Sequence, residues 1–351
     1  MKVVQLGPYP PPHGGVQTNL VAIREYLERH GHSCAAIHLT RARGNAPGVY
    51  YPASALELAW LLIGLRVDIL HLHLGGDLTK GLAALALFCT LLPGRKTVLS
   101  FHSGGYPTSP AGRTAGWWTL RGFIFRRADG VIAVNDEIAA MFRKFGVRPN
   151  RLRTILPFAV QLPDPALPLP DRLQTFMASH KPFLLTVGLL EPEYDLGLQI
   201  EAMADILERF PRAGLAIVGA GSLEESLRRQ IAAKPYAESI LLYGDMPRAV
   251  TLRAMLECDA LLRTTLYDGD SVSVREALYL GTPVIATDNG MRPAGVRLIP
   301  ISNRERLTDA VSDVVAGGQP RKPMADDGQE NLRAVERLYM ELRNAIPSPR
   351  V

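Results

Sequence analysis

The stretch FLLTVGLLEPEYDLGLQIEAMADILERFPRAGLAIVGAG, residues 183–221, decides the fold class of this chain. Two apolar runs, 183–190 and 215–221, have the length and composition of buried strands. Between them, residues 196–210 repeat apolar side chains with the period of an amphipathic helix. A strand, a helix and a second strand in this order predict a βαβ unit with parallel strands.

The same alternation continues over the rest of the chain. In the first half it predicts strands at 2–7, 33–39, 68–74, 96–102, 130–135 and 152–158. In the second half it predicts further strands at 239–244, 259–265, 282–288 and 296–301. We therefore expect an α/β protein with two Rossmann-like, doubly wound parallel-sheet domains facing across a cleft, with ligands beyond the carboxyl ends of the strands.

A proline-rich stretch separates the two halves. In QLPDPALPLPDR, residues 161–172, prolines recur every two or three residues and break both helices and strands. We place an N-terminal domain at 1–160, a linker at 161–180 and a C-terminal domain at 181–328. Residues 329–351 are predicted to form a C-terminal helix and tail.

Charge is distributed unevenly between the halves. Residues 1–160 contain 18 Lys and Arg against 8 Asp and Glu, whereas residues 161–351 contain 21 against 26. The basic half favours an anionic partner, such as a membrane surface or a phosphate-bearing acceptor, although a merely arginine-rich surface gives the same count. No nucleic acid is expected, because no zinc-finger spacing or aromatic RNA-binding run accompanies the charge.

Composition otherwise indicates a cytoplasmic protein, free or associated with the inner face of the membrane. Three cysteines (Cys34, Cys89 and Cys258) are widely spaced, which suits a reducing compartment. Prolines interrupt the apolar N-terminus too early for a signal peptide. The apolar segments 53–70 and 80–94 carry charges or are too short for a bilayer span, so we expect buried helices there.

Glycines occur where strands are predicted to end. Gly14 and Gly15 precede the first helix, and Gly219 and Gly221 end the run at 215–221. Backbone N–H groups at such places could bind a sugar diphosphate or a nucleoside, or the glycines could merely serve the turns. Neither a Walker A loop nor G-x-G-x-x-G is present, which argues against a dinucleotide cofactor.

Three histidines lie on strands of the first half. His71 and His73 share one face of a strand, but no third ligand is nearby, so we do not expect zinc there. His102 ends the run at 96–102 and is expected to point into the cleft. It could donate a hydrogen bond to a sugar hydroxyl or stabilise transition-state charge, or it is an ordinary loop histidine.

The stretch YDGDSVSVREALYLGTPVIATDNG, residues 267–290, admits three interpretations. Asp268 and Asp270 could clamp a metal ion as a D-x-D pair. Ser273 and Glu276 have the spacing of a capping box at a helix start. Alternatively, Asp268 and Glu276 accept hydrogen bonds from the hydroxyls of a sugar nucleotide, while helix N–H groups face its phosphates. We favour the third, because a capping box leaves the two aspartates unexplained.

At these motifs the chain resembles a retaining glycosyltransferase of family 4, with the GT-B fold. The resemblance covers nearly the whole chain and includes SFHSGG (100–105), LLTVGLLEPE (184–193), LAIVGAGSLEE (215–225) and DGDSVSVREALYLGTPVIATD (268–288). It implies that Asp268 contacts the donor sugar and Glu276 the ribose, with Gly15 by the diphosphate and His102 by the transferring sugar. The matching motifs also imply donor contacts by Gly14, Gly188, Gly219, Gly221, Asp270, Ser271, Val272 and Ser273.

The chain also departs from the family pattern. DGDSVSVREAL replaces the usual Glu-x7-Glu motif, and Phe158-Ala159 replaces the usual Asn-Gly before the linker. Leu189 and Tyr194 stand where the family has an Arg and a Lys on the pyrophosphate. Loss of both cations would weaken stabilisation of the leaving nucleoside diphosphate.

Three nearby arginines could supply the missing charge. Arg263, at the end of a predicted strand, is our candidate catalytic cation, with Arg275 and Arg292 as further phosphate contacts. Each could instead form a structural salt bridge. The resemblance implies metal-independent hexosyl transfer, with retention, from a UDP- or GDP-linked sugar to a saccharide or lipid-linked acceptor. We expect a role in polysaccharide or glycolipid biosynthesis and no cofactor. A non-catalytic sugar-nucleotide-binding subunit and a UDP-sugar epimerase on the same fold are the alternatives.

The aromatic, basic stretch GWWTLRGFIFRRA, residues 116–128, suggests peripheral contact with an anionic membrane. In that interpretation Trp117, Trp118 and Arg126 are interfacial anchors. In the alternative, which we favour, Trp117, Phe123 and Phe125 pack against the sheet.

Overall fold

A computed structural model describes residues 1–40, 43–76, 78–160, 162–268, 270–317, 323 and 325–345. The chain forms two compact units. The first contains residues 1–10, 16–159 and 328–351, and the second contains 11–15 and 160–327. Two predicted features extend beyond the described residues: Gln161 of the linker, and residues 346–351 of the tail.

All strands pair in parallel, in two sheets. The first sheet contains β1 (Lys2–Gly7), β2 (Ser33–His38), β3 (Val49–Tyr50), β4 (Ile69–Leu74), β5 (Lys96–Phe101), β6 (Gly130–Ala133) and β7 (Leu152–Thr154). The second contains β8 (Phe183–Val187), β9 (Gly214–Val218), β10 (Ile240–Gly244), β11 (Ala260–Arg263), β12 (Val284–Thr287) and β13 (Arg297–Ile299).

Helices connect these strands. The helices before the second sheet are α1 (Gly15–Arg29), α2 (Ala55–Gly64), α3 (Lys80–Leu91), α4 (Pro110–Thr114), α5 (Leu120–Arg127), α6 (Asp136–Lys144) and α7 (Asp171–Ser179). The later helices are α8 (Leu196–Arg209), α9 (Glu224–Ala232), α10 (Arg248–Glu257), α11 (Val272–Tyr279), α12 (Arg304–Ala316) and α13 (Gln329–Asn344).

Both sheets are doubly wound. The strand order is β3-β2-β1-β4-β5-β6-β7 in the first and β10-β9-β8-β11-β12-β13 in the second. In each sheet the order reverses once, between β1 and β4 and between β8 and β11. At such a reversal the connections leave to opposite faces, so the loops at the carboxyl ends of these strands diverge and form a crevice for ligands.

Helices cover both faces of the first sheet. On one face, α2, α3, α5 and α6 bury residues such as Leu62, Ala86, Phe125 and Phe142 against alternate strand residues. On the other face, α1 and α13 share a second core. The last helix contributes Leu332, Val335, Leu338 and Tyr339 to that core. The C-terminal segment therefore returns to the first unit.

The sequence prediction of the sheets is confirmed for the twelve long strands, with ends that differ by a few residues. The exception is β3, a two-residue edge strand paired with β2, which carried no prediction. Continuous apolar runs reveal strands buried on both faces, whereas a two-residue strand is too short to show any pattern.

Candidate functional site

The candidate site of the second unit lies at the carboxyl ends of β8 and β11. These two strands are neighbours, and the strand order reverses between them. Gly188 directly follows β8, and Arg263 is the last residue of β11. The loops that follow hold Tyr194 and Asp268. The predicted acids thus lie at the position where doubly wound sheets bind ligands.

Asp268 is held by two arginines through a single oxygen. Its Oδ2 accepts from Arg263 Nη2 at 2.8 Å and Nε at 3.1 Å, and from Arg292 Nη1 at 3.2 Å. The hydroxyl of Thr265 donates to the same oxygen at 3.3 Å. Within the described part of the chain, no group donates to Oδ1. The arginines fix the carboxylate and leave its second oxygen as an acceptor for a ligand.

The two guanidinium groups control the ionisation of Asp268. Burial alone would raise the pKa of this carboxyl, but the charges of Arg263 and Arg292 outweigh burial and hold the pKa below its ordinary value. Burial would also lower the pKa of Arg263, yet Asp268 raises it further above its usual range. For Arg292 burial prevails and the pKa is lowered. Asp268 is therefore an anion at neutral pH.

Glu276, in the second turn of α11, is also bound to an arginine through one of its two carboxylate oxygens. Its Oε1 accepts from Nε of Arg248 at 2.9 Å, and in the described residues Oε2 has no donor. The Glu276 side chain is only 7% exposed, whereas that of Arg248 is 28% exposed. Burial raises the pKa of Glu276, and Arg248 opposes this shift. Arg248 is thus the accessible cation next to the second acid.

Asp270 differs from the other two acids. Nε of Arg275 lies 2.7 Å from both of its carboxylate oxygens. Burial raises the pKa of Asp270 to about 6, against the opposing charge of Arg275. Both oxygens of Asp270 contact this one nitrogen, so Arg275 forms the salt bridge that the sequence left open as an alternative to a phosphate contact. No cluster of three or more His, Cys, Asp or Glu suited to a metal occurs among the described residues.

The capping-box interpretation of Ser273 and Glu276 is wrong. The N-cap of α11 is Ser271, which makes no side-chain cap, and Ser273 lies inside the helix. The hydroxyl of Ser273 is instead 3.5 Å from Nη1 of Arg263 and 3.4 Å from the hydroxyl of Ser271. Glu276 turns to Arg248 because a charged partner binds a buried carboxylate more strongly than a neutral backbone N–H does.

Arg263 also packs against the aromatic ring of Tyr194. The guanidinium carbon lies 4.5 Å from the centre of the tyrosine ring, which is cation–π geometry. A methyl group added at Gly188 would lie 2.2 Å from the ring and 2.8 Å from Nη1 of Arg263. Only glycine fits beneath this pair. Tyr194, which replaces the expected lysine, therefore positions an arginine from another strand; Leu189 beside it is half-buried.

Close backbone packing explains why positions 219 and 221 are glycines. An added Cβ at Gly219 would lie 1.7 Å from the carbonyl oxygen of Gly188, and one at Gly221 would lie 2.5 Å from that of Leu190. These glycines let the ends of β8 and β9 approach each other. Nucleoside contact by either residue stays a prediction.

The Gly14-Gly15 turn belongs to the second unit. His13 donates its backbone N–H to Oδ1 of Asp245 at 2.9 Å, and its Nδ1 lies 2.9 Å from Oδ2. Burial would raise the pKa of Asp245, but the hydrogen bonds from His13 lower it. A Cβ on Gly15 would touch the side chain of Val272, at the start of α11, at 3.4 Å. The glycine turn thus lies next to the helix that carries Glu276.

In the first unit, His102 follows β5 and joins a buried chain of polar side chains. Its Nε2 is 3.4 Å from Nδ1 of His73, whose Nε2 is 2.9 Å from Oε1 of Gln5. His71 binds the hydroxyls of Tyr339 and Ser100. Burial lowers the pKa of His102 to about 4 and that of His71 to about 3, and that of His73 lies well below the usual value. These rings are neutral at pH 7, and both nitrogens of His71 and His73 are engaged by protein groups.

The packing prediction for the aromatic stretch is correct only for Phe125. Phe125 is 1% exposed, but Trp117 is 63% and Phe123 is 44% exposed. Arg126 donates to the carbonyl oxygens of Trp117 and Phe145. Further exposed apolar side chains on the same helix layer are Leu56, Trp60, Ile63, Leu91, Trp118 and Leu120. Among the described helices, none has the length and apolar character needed to cross a bilayer.

Comparison with known proteins assigns each half to a family. Residues 13–158 match Glycosyltransferase Family 4, and residues 171–330 match Glycosyl transferases group 1. Both halves are glycosyltransferase domains. The range 171–330 of this glycosyltransferase contains the three acids and four arginines described above, and the range 13–158 contains His102.

Curated relatives of this glycosyltransferase include two mycobacterial enzymes. It is 24% identical to the phosphatidyl-myo-inositol mannosyltransferase of Mycobacterium leprae over 353 residues, 91% of this chain and 88% of the relative. It is 27% identical to the GDP-mannose-dependent alpha-(1-6)-phosphatidylinositol monomannoside mannosyltransferase of Mycolicibacterium smegmatis over 242 residues, 64% of this chain and 61% of the relative.

Solved structures show the same fold. HepE of Anabaena in complex with UDP-glucose superposes with a TM-score of 0.72 at 17% identity, over 97% of this chain and 98% of that one. Sucrose-phosphate synthase of Thermosynechococcus elongatus gives a TM-score of 0.68 at 17% identity, over 97% of each chain. The glycosyltransferase therefore has the GT-B fold that the sequence predicts.

Two contributions to the candidate site were missed in the sequence. Arg248 follows β10 and was not considered, although a basic residue just after a strand end at this edge of the sheet was the available signal. Tyr194 was regarded only as the replacement of a lysine, because its stacking on Arg263 joins a residue of the segment after β8 to the last residue of β11 and leaves no local pattern.

Proposed function

We propose that this glycosyltransferase moves a hexosyl group from a nucleotide diphosphate sugar to a hydroxyl acceptor with retention of the anomeric configuration. One observation carries the proposal. Asp268 and Glu276 each bind arginine through one oxygen and have a second oxygen without a donor among the described residues, whereas both oxygens of Asp270 contact Nε of Arg275. Two fixed acceptors suit the hydroxyls of a sugar and a ribose.

The donor phosphates would meet positive charge at the same place. Arg248, Arg263 and Arg292 outnumber the two carboxylates of Asp268 and Glu276, which leaves a net charge of +1. The N–H groups at the start of α11, which the side chain of Ser271 does not cap, add a partial positive charge. We propose that these groups, rather than a metal ion, stabilise the leaving nucleoside diphosphate, so transfer should persist in EDTA.

In the proposed reaction, the acceptor oxygen forms a bond to the anomeric carbon on the face from which the diphosphate departs. The bond between that carbon and the phosphate oxygen breaks, and the acceptor proton passes to the departing phosphate. No covalent intermediate on the enzyme is needed. Fixed cations lower the barrier because they meet the charge that develops on the leaving oxygen. The anomeric configuration of the product, read by proton NMR, tests retention.

We propose a UDP- or GDP-linked donor and a lipid-linked or saccharide acceptor. Solved neighbours hold UDP or UDP-glucose, and one curated relative is GDP-mannose-dependent. The names of both mycobacterial relatives specify phosphatidylinositol-based acceptors. A thermal-shift screen against UDP, GDP, ADP and their sugars identifies the base, since a ligand that binds the folded state raises its melting temperature.

A lipid acceptor would suit the exposed apolar layer of the first unit. Trp117 and Trp118 are both more than half exposed, and Arg113, Arg121 and Arg127 lie within ten residues of them in the sequence. We propose that this face rests on an anionic membrane, with the aromatic rings at the interface. Co-sedimentation with vesicles that contain anionic lipid should exceed that with neutral vesicles and fall in a Trp117→Ser, Trp118→Ser variant. Equal sedimentation with both vesicle types rejects this part of the proposal.

The two alternative functions predict different outcomes when the protein is incubated with a donor. A non-catalytic binding subunit, suggested by the loss of the usual Arg and Lys, would bind a donor without hydrolysis or transfer across a panel of acceptors. A UDP-sugar epimerase would change the sugar while it remains attached to UDP. Mass spectrometry and NMR of donor incubated with and without acceptor separate these outcomes from transfer.

A further inference from the structure

The polar chain that reaches His102 begins at a backbone carbonyl. Gln5 lies on β1 and is fully buried. Its Nε2 is 3.0 Å from the carbonyl oxygen of Leu20, on α1. A carbonyl oxygen can only accept, so the amide nitrogen of Gln5 must face it and the amide oxygen must face the other way. The orientation of the Gln5 amide is therefore fixed.

That orientation sets the tautomer of His73. Oε1 of Gln5 is 2.9 Å from Nε2 of His73, and this oxygen can only accept, so Nε2 carries the proton. His73 is 2% exposed, and burial keeps its pKa far below neutrality. A neutral imidazole has one proton. Nδ1 of His73 is consequently a bare acceptor.

From this chain we infer that Gln5 and His73 are positioning residues, which hold His102 as the tautomer protonated on Nε2 and present its Nδ1 as a hydrogen-bond acceptor. Nε2 of His102 lies 3.4 Å from the bare nitrogen of His73, a contact that is favourable only if Nε2 donates. The one ring proton is then used. Among the described residues, no group binds the Nδ1 of His102.

This tautomer makes His102 an acceptor, not a donor, of a hydrogen bond from a ligand. One of the roles considered for His102 from the sequence was donation of a hydrogen bond to a sugar hydroxyl, but a bare Nδ1 can only accept one. It selects ligand groups that carry a proton, such as hydroxyls, and disfavours carbonyl, ether and phosphate oxygens. A role in binding a substrate hydroxyl presupposes the sugar transfer proposed above, whereas the protonation state of the ring does not.

The tautomer can be measured directly. Two-bond nitrogen–proton NMR spectra of protein labelled with nitrogen-15 in histidine distinguish protonated from bare ring nitrogens, and the signals lost in His102→Asn assign that residue. At pH 7 we expect a protonated Nε2 and a bare Nδ1 in the unliganded wild-type protein. A protonated Nδ1, alone or in an imidazolium, overturns the inference.

Substitutions at His73 test the positioning role. His73→Gln keeps a donor towards Gln5 and an acceptor towards His102, whereas His73→Leu keeps neither. We expect His73→Leu to lower kcat/KM by about tenfold, the effect of losing one hydrogen bond, and His73→Gln to restore most of it. Tyr339→Phe removes a buried hydrogen bond from the neighbouring His71 and serves as a control for stability alone.

The outcomes separate the two proposals. If His73→Gln is as impaired as His73→Leu, or if Tyr339→Phe impairs transfer equally, the positioning role is refuted. If Nδ1 is bare but the wild-type protein transfers no sugar, the proposed function fails and the tautomer assignment stands. If Nδ1 is protonated and transfer proceeds, only the inference about Gln5 and His73 fails.

Discussion

The guanidinium group of Arg263 lies on the ring of Tyr194, 4.5 Å from its centre, and its Nε and Nη2 donate to Asp268. Tyr194 occupies a position where the resembled family has a lysine for the pyrophosphate. The stack therefore does more than fill the space of a lost side chain. It fixes a cation from β11 beside the end of β8 and through it fixes the first acid of the motif.

Replacement of Tyr194 tests this dependence. Tyr194→Leu removes the aromatic ring, whereas Tyr194→Phe keeps it. Loss of a buried cation–π contact costs about 1–2 kcal/mol, so we expect Tyr194→Leu to reduce kcat/KM by about 5- to 30-fold. Tyr194→Phe should remain within about twofold of the wild type, because the ring provides most of the stack. Steady-state kinetics measure kcat/KM for both variants. Equal losses in both would contradict a role of the aromatic ring in holding Arg263.

Gly188 packs closely against both Tyr194 and Arg263. Gly188→Ala would force a methyl group to within 2.2 Å of the Tyr194 ring and displace either the ring or Arg263. We expect a melting temperature lowered by several degrees, since overpacking costs about 1–3 kcal/mol. Gly197→Ala is the matched control, because its Cβ would meet only Gln230 at 3.7 Å. A Gly188→Ala protein as stable as the control would show that the space is not as tight as described.

Arg248 is predicted to act through Glu276. Arg248→Ala would leave a buried carboxylate without its charged partner, raise the pKa of Glu276 further and weaken donor binding. We expect Kd for the nucleotide sugar to rise about tenfold or more, measured by calorimetry. Arg228→Ala, which breaks an exposed pair with Glu224, is the control and should leave Kd unchanged. Unchanged affinity in both variants would remove Arg248 from the site.

The buried histidines predict a loss of stability in acid. The pKa of His71 is lowered from 6.5 to about 3, chiefly by burial, so below pH 6.5 the unfolded chain takes up a proton that the folded chain does not. Stability is therefore complete above pH 6.5 and falls towards pH 3, with a slope of about 1.4 kcal/mol per pH unit for one such group.

Urea unfolding at several pH values measures that slope. His71→Gln should reduce it by about 1.4 kcal/mol per pH unit between pH 6 and 4, because the variant lacks one of the three buried imidazole rings. Ser100→Ala removes one hydrogen bond to His71 but no titrating group, so it should lower stability at every pH and keep the slope. A slope that is the same in the His71→Gln and wild-type proteins would contradict the assignment.

The sheets could be predicted from the sequence because most strands are predominantly apolar, as β8 and β9 show. The position of Asp268 and Glu276 near a strand end and a helix start was also correct. Their partners were harder to predict. The pair of Glu276 and Arg248 joins residues 28 apart across two helices, and only packing brings them together.

Local patterns misled the prediction where a stronger partner was available. Ser273 and Glu276 have the spacing of a capping box, yet the glutamate binds an arginine and the serine faces Arg263. Similarly, Phe123 and Phe125 differ in exposure although both are aromatic residues of one short helix. The face of α5 that meets the sheet decides between them, and eight residues are too few to show a clear period.

The most direct test of the account is calorimetric titration of the donor nucleotide sugar, identified by the thermal-shift screen, into the wild-type protein and three variants. Asp268→Asn and Glu276→Gln each alter an acid that keeps one oxygen for a ligand, while Asp270→Asn alters the acid whose oxygens are both bound to Arg275. We predict that the first two raise Kd by about tenfold or more and that the third changes it by less than about threefold. Equal affinity in the wild-type, Asp268→Asn and Glu276→Gln proteins would contradict the account.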